Sequence, residues 1–174
     1  AMEVHLNDAK LLEQACGALM SLSSADGGTG AISRGIVSAG GIDALIQALK
    51  VHPYSVTVQL EGIGTLGNLA MDRNCEEEIG SKSGITFVFD AMKMHPTSSN
   101  IQKNCCNALR NLTSHHENLE ILANLQPEPH LNAAGKIFPE DCKETAEVLL
   151  RKLQGNQSLW SALCLMISPE VPDG

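Results

Sequence analysis

Lys50-Val51-His52-Pro53, Lys93-Met94-His95-Pro96 and Lys136-Ile137-Phe138-Pro139 are three versions of one four-residue pattern. Successive lysines stand 43 residues apart in both intervals. A fixed period of that size marks one supersecondary unit stacked on copies of itself, and it directs the reading of everything between the marks. The proline cannot continue a helix and disfavours helical geometry in the residue before it. Each pattern is therefore the end of one helix and a corner before the next.

The stretch after each corner also repeats. Residues 58–69 read VQLEGIGTLGNL, residues 101–112 read IQKNCCNALRNL, and residues 11–22, LLEQACGALMSL, fit the same frame. Leu19, Leu66 and Leu109 align, as do Leu22, Leu69 and Leu112. The small residues Ala15, Gly62 and Cys105 stand four positions before the first leucine, where they let a neighbouring helix approach closely. The spacing is that of amphipathic helices, and in the first of them Leu11, Ala15, Cys16, Leu19 and Leu22 form the face expected to be buried.

Upstream of the corners the order is a short helix over 33–39, a break at Gly40-Gly41 and a helix over 42–51. One period later Ile79 matches Ile36, Ser83-Gly84 matches Gly40-Gly41, and 85–94 match 42–51. Leu45, Leu49, Val88 and Met92 take the inward positions of the middle helices. The interval from Leu19 to Leu66 is 47 residues instead of 43, and the glycine cluster Asp26-Gly27-Gly28-Thr29-Gly30 accounts for the excess as a flexible loop insertion. That cluster has neither the preceding strand nor the GK[ST] ending of a phosphate-binding loop.

With these motifs in place the chain resembles the armadillo repeat family. The likeness rests on the G-I-x-x-L/V-x-x-A-L/M pattern, then V/I-Q, then Leu66-Gly67-Asn68-Leu69-Ala70 and Leu109-Arg110-Asn111-Leu112-Thr113. It implies an all-α fold, a right-handed armadillo-like α-solenoid of three-helix repeats of about 43 residues. Residues 1–174 then form a single domain: 2–24 as the third helix of a truncated repeat, 31–71 and 74–114 as full repeats, 115–155 as a degenerate one, and 156–174 as a capping helix and tail. In the degenerate repeat Pro127-Glu128-Pro129 replaces the glycine turn and Gly135 falls inside the expected middle helix. Leu150 and Leu153 restore the leucine pair after a two-residue shortening. Residues 157–167 are expected to cover the end of the stack and 168–174 to fray.

Composition narrows the function. Aromatics are 3% of a chain that is 43% hydrophobic, so the core is aliphatic, which suits packed helices better than a sheet. A net charge of −8 argues against nucleic acid or an anionic membrane as partner. No apolar run approaches the ~20 residues of a membrane span, and no signal-peptide pattern is present. Ala1-Met2 reads as a cloning remnant, so a piece of a longer protein is expected. The six cysteines (Cys16, Cys75, Cys105, Cys106, Cys142, Cys164) include no CxxC pair, and buried reduced thiols of a cytoplasmic or nuclear protein are the expectation.

No catalytic, metal or cofactor constellation emerges. His52 and His95 are equivalent corner residues. His115 and His116 are adjacent on the chain and lack the i, i+4 spacing of a helical zinc pair. Glu76-Glu77-Glu78 reads as favourable charge at a helix N-terminus. An enzyme of unknown reaction is thus the weaker reading, against a protein-interaction module or a structural spacer.

The resemblance implies a polar ladder along a concave groove. Asn68 and Asn111 take the place of the amide that grips the backbone of an extended partner segment, and Glu61, Asn104, Asn107 and Gln14 line the same groove. An amide offers both a donor and an acceptor for that task. The competing use of the same asparagines is to tie their helix to its neighbour. Nuclear-import adaptors carry a tryptophan four residues before the asparagine, where this chain has Gly64 and Asn107, so an import role is the less favoured alternative. The K-x-H-P corners are more similar to armadillo segments of large scaffolds. The expected partner is a protein or peptide, with end-to-end self-association of the stack left open.

Overall fold

The computed structural model describes residues 2–25 and 30–167, the side chains of 3, 4 and 157–167 excepted. The described residues form a short 3-10 turn, Met2–His5, and ten α-helices with no strand. These are α1 Ala9–Ser24, α2 Ala31–Ser38, α3 Gly41–Val51, α4 Val56–Leu69, α5 Arg73–Ser81, α6 Gly84–Met94, α7 Ser99–Leu112, α8 His116–Asn124, α9 Glu128–Ile137 and α10 Pro139–Ile167. The protein is all-α.

Local chemistry sets the boundaries. Asp8, Ser55 and Asp72 hold extended backbone ahead of α1, α4 and α5 and accept the otherwise orphaned N–H groups of Leu11, Val58 and Asn74. The first and second helices of each unit are separated by one left-handed residue. Gly40 (φ 75°), Ser83 (φ 65°) and Gln126 (φ 54°) recur at the 43-residue period. The turn expected at Pro127-Glu128-Pro129 is thus made one residue earlier, and Pro127 and Pro129 sit at the helix start, where a missing N–H costs nothing.

Long helices pack on long helices: α1 on α4, α4 on α7 and α7 on α10. Each of the last three also packs on the helix before it, α3, α6 and α9 respectively. Leu66, Leu69, Leu109 and Leu112 have no exposed surface, and Leu45, Leu49, Val88 and Met92 are buried with them. The small positions work as expected, since a Cβ on Gly62 would stand 2.9 Å from Leu49 Cδ2 on α3. A second close approach lies between long helices, where a Cβ on Gly67 would stand 3.2 Å from the Ala108 backbone.

Two expectations change. Leu22 is 50% exposed and Leu19 only half-buried, while Leu12, Cys16 and Ser23 are buried. Leu69 and Leu112 lie on helices that each pack on a preceding helix, α3 and α6, whereas only the 3-10 turn precedes α1 in the described chain. The break expected near residue 156 is absent, because α10 runs unbroken to Ile167. No proline interrupts it, and Gly155 alone is tolerated in a helix at a cost of about 1 kcal/mol. Residues 26–29 of the glycine cluster and the 168–174 tail lie outside the described residues.

Candidate functional site

The polar ladder runs along α1, α4, α7 and α10, and its amide nitrogens point at the neighbouring long helix. Asn111 Nδ2 donates to the Gly67 carbonyl at 2.9 Å, and Asn104 Nδ2 donates to the Leu60 carbonyl at 3.0 Å. Asn68 Nδ2 donates to the hydroxyls of Ser23 and Ser24, both at 3.1 Å. All three asparagines are half-buried. The competing helix-tying role is therefore present in the geometry of each.

The ladder has a member that the sequence reading passed over. Leu150-Arg151-Lys152-Leu153 repeats Leu109-Arg110-Asn111-Leu112, and this match was the available signal. Lys152 Nζ donates to the Arg110 carbonyl at 3.3 Å and the Thr113 carbonyl at 3.2 Å. Arg110 is the equivalent of Gly67 one period on, so lysine replaces asparagine as donor to the same main-chain position. Burial holds the Lys152 ammonium below the ordinary lysine value, with the carboxylate of Glu76 acting in the opposite direction.

The donors leave their acceptors open. Neither Asn68 nor Asn111 receives a hydrogen bond on its side-chain Oδ1 from any described residue. Of the remaining ladder positions, Glu61 and Asn107 are half-buried and Gln14 is exposed. Burial, reinforced by the Glu61 charge, pushes the Cys16 thiol up to about 11. Cys16, Cys75, Cys105, Cys106 and Cys142 are buried free thiols, and Cys164 lies outside the described side chains.

Two further pairs explain the corner sequences. Gln59 and Gln102 are buried at equivalent places, and each reaches the carbonyl, of Leu49 or Met92, that its corner proline leaves without a helical donor, and with it the corner histidine's carbonyl. Gln59 Nε2 donates to Leu49 and His52 at 2.9 and 3.1 Å; Gln102 Nε2 donates to Met92 and His95 at 2.7 and 3.0 Å. The corner histidines reach the previous corner: His95 Nε2 lies 2.8 Å from the Pro53 carbonyl and His52 Nε2 lies 2.6 Å from that of Leu6. In the third corner Phe138 replaces histidine, and Asp141 ties α10 to α7 through Ser99 Oγ and Lys103 Nζ.

Beside Asn111 the C-terminal ends of α4 and α7 and the start of α5 enclose a recess of about 420 Å³ lined by Ala70, Met71, Arg73, Glu76, Asn111, Ser114 and His115. Among the described residues no three His, Cys, Asp or Glu side chains are grouped to hold a metal ion, and no helix is long and apolar enough to cross a membrane. Comparison with known family models, curated proteins and solved structures finds no match for this chain.

Proposed function

We propose that this chain is a non-enzymatic protein-interaction module, an armadillo-like α-solenoid that binds an extended segment of a partner protein along its ladder of long helices. The observation that carries the reading is the division of labour within Asn68 and Asn111. Their amide nitrogens serve the neighbouring helix, and their carbonyl oxygens stay free in one register along the stack. A partner in extended conformation presents backbone N–H groups at regular intervals, which such oxygens accept. A cytoplasmic or nuclear setting fits this role and fits five buried free thiols.

The test separates tying from gripping. Selection of 12-residue peptides from a displayed random library with the wild-type chain supplies the probes. Asn68→Lys with Asn111→Lys keeps a donor to the neighbouring helix, as Lys152 does, but removes both free acceptors. Asn111→Asp keeps an acceptor and removes the donor. The module reading expects the lysine pair to fold normally and lose the selected peptides about tenfold or more, each backbone hydrogen bond being worth roughly 0.5–1.5 kcal/mol. Unchanged peptide affinity in the lysine pair returns the asparagines to a purely structural role and favours the spacer reading.

A further inference from the structure

The three corners form an edge that the asparagine ladder does not use. His52, His95 and Phe138 end α3, α6 and α9 with nearly the same backbone, φ −119°, −120° and −123° with ψ 58°, 54° and 65°. The two residues before each of them, Lys50-Val51, Lys93-Met94 and Lys136-Ile137, therefore leave their helices in the same way. All six are exposed, the apolar members by 38%, 37% and 56%. A single exposed apolar side chain needs no explanation, but one that recurs at the same place in three consecutive units makes a row.

Contacts beneath the row join its members. Helix α3 packs on α6, and His95 Nε2 bonds the Pro53 carbonyl of the corner before it. His130 of α9 meets Phe89 of α6 edge-on, with ring centroids 5.4 Å apart. Packed helices lie about 8–10 Å apart, so neighbouring lysines are about 10 Å apart and the row spans about 20 Å. Its charge is opposite to that of the chain, which carries −8. Lys93 Nζ is shared with Asp90 at 2.7 Å and lies 5.0 Å from the Phe89 ring centroid. Lys50 and Lys136, at the two ends, have no carboxylate partner among the described side chains, and the exposed Glu140 after the third corner makes no ion pair with Lys136. A partner that covers this edge therefore presents carboxylates beside aliphatic side chains.

The spacing selects the partner's conformation. Three residues of extended chain cover about 10 Å, but side chains alternate, so residues three apart point to opposite faces. Seven residues of α-helix cover about 10.5 Å and return to the same face. We infer that the edge formed by Lys50, Lys93 and Lys136 docks an acidic amphipathic helix of a partner protein. Its carboxylates, about seven residues apart, meet the lysines, and aliphatic residues one turn away cover Val51, Met94 and Ile137. The assignment does not rest on the ladder.

The probe is a synthetic 18-residue helical peptide with Glu at positions 2, 9 and 16, Leu at positions 5, 6, 12 and 13, and Ala and Gln elsewhere. A second peptide has Gln in place of every Glu, and a third has Pro at positions 8 and 11, which prevents the helix. Each is titrated into the ¹⁵N-labelled full chain at low ionic strength, and amide shifts are followed. The acidic peptide is expected to move the amides of Lys50, Val51, Lys93, Met94, Lys136 and Ile137 in one saturable process, with the glutamine and proline peptides about tenfold weaker or more. Lys50→Glu with Lys136→Glu, both at exposed sites, should make the glutamine peptide the tighter binder, and Met94→Ser should weaken both helical peptides. Equal binding of the acidic and glutamine peptides to the wild-type chain, no saturable binding of either, or shifts confined to other surfaces, the ladder included, overturns the assignment. Undiminished binding of the proline peptide overturns it as well, since the occupant would then not be a helix.

Discussion

Asn111 Nδ2 reaches back 44 residues to the carbonyl of Gly67, across the boundary between two long helices. Replacement of Asn111 by alanine removes one such bond and should cost about 1 kcal/mol. Asn111→Asp should cost more, because a carboxylate cannot donate and would face the Gly67 carbonyl acceptor to acceptor. Asn111→Lys should fall closest to wild type, since Lys152 already makes the equivalent contact to Arg110. Urea unfolding midpoints of the three variants give the order directly, and an aspartate variant as stable as the lysine variant would remove the tie from the account.

The aligned leucines should separate by position. Leu66 and Leu109 have no exposed surface, so each change to alanine should cost about 2–5 kcal/mol. Leu22, which takes the register of the fully buried Leu69 and Leu112 on α1 but is 50% exposed, should lose no more than about 0.5 kcal/mol. Equal losses at all three positions, read by chemical denaturation, would contradict the placement of α1 at the edge of the packed helices.

Ser83 and Gln126 adopt the left-handed conformation that Gly40 adopts without a Cβ penalty. That conformation costs a non-glycine residue about 1–2 kcal/mol, against about 0.5–1 kcal/mol of extra chain entropy for glycine. Ser83→Gly, at an exposed site, should therefore raise stability by up to about 1 kcal/mol, and Gln126→Gly should act in the same direction. A lower melting temperature in both variants would be the contrary result.

Alkaline pH should destabilise the fold through its thiols. Burial raises Cys16 from 9.0 to about 11 and raises Cys105 and Cys106 as well. The unfolded chain releases these protons first as pH rises, so stability is full below the ordinary thiol range. It should decline for Cys16 between pH 9.0 and about 11. Comparing unfolding midpoints at pH 8 and pH 10 for wild type and Cys16→Ala isolates that contribution, and an identical pH dependence in the two proteins would refute it.

The period was readable because it is written in residues that serve local geometry. Proline corners, the glutamine after the first two of them and the buried leucines recur where the backbone needs them, and the match of Ser83-Gly84 to Gly40-Gly41 carried over to a shared left-handed turn. Gln126 escaped notice because nothing in a glutamine side chain announces a positive φ; only the packing of its unit imposes it. The asparagine register was equally visible, but the partners of Asn104 and Asn111 are main-chain carbonyls, which leave no trace in sequence. Glu76 read as one of three like charges at a helix start, and only the packing of α5 against α7 turns that one inward.

Several of the ties between units end on main-chain oxygens, at Gly67, Arg110, Leu60 and Pro53, four residues with no chemistry in common. Every residue type supplies such an oxygen. At these joints the rule is written on the incoming unit alone, in its asparagine, lysine or histidine, whereas Asn68 and Asp141 also need the Ser23, Ser24, Ser99 and Lys103 side chains of the unit that receives them. A unit grafted behind another should make these main-chain ties if it brings its own donors, which makes this part of the joint directional.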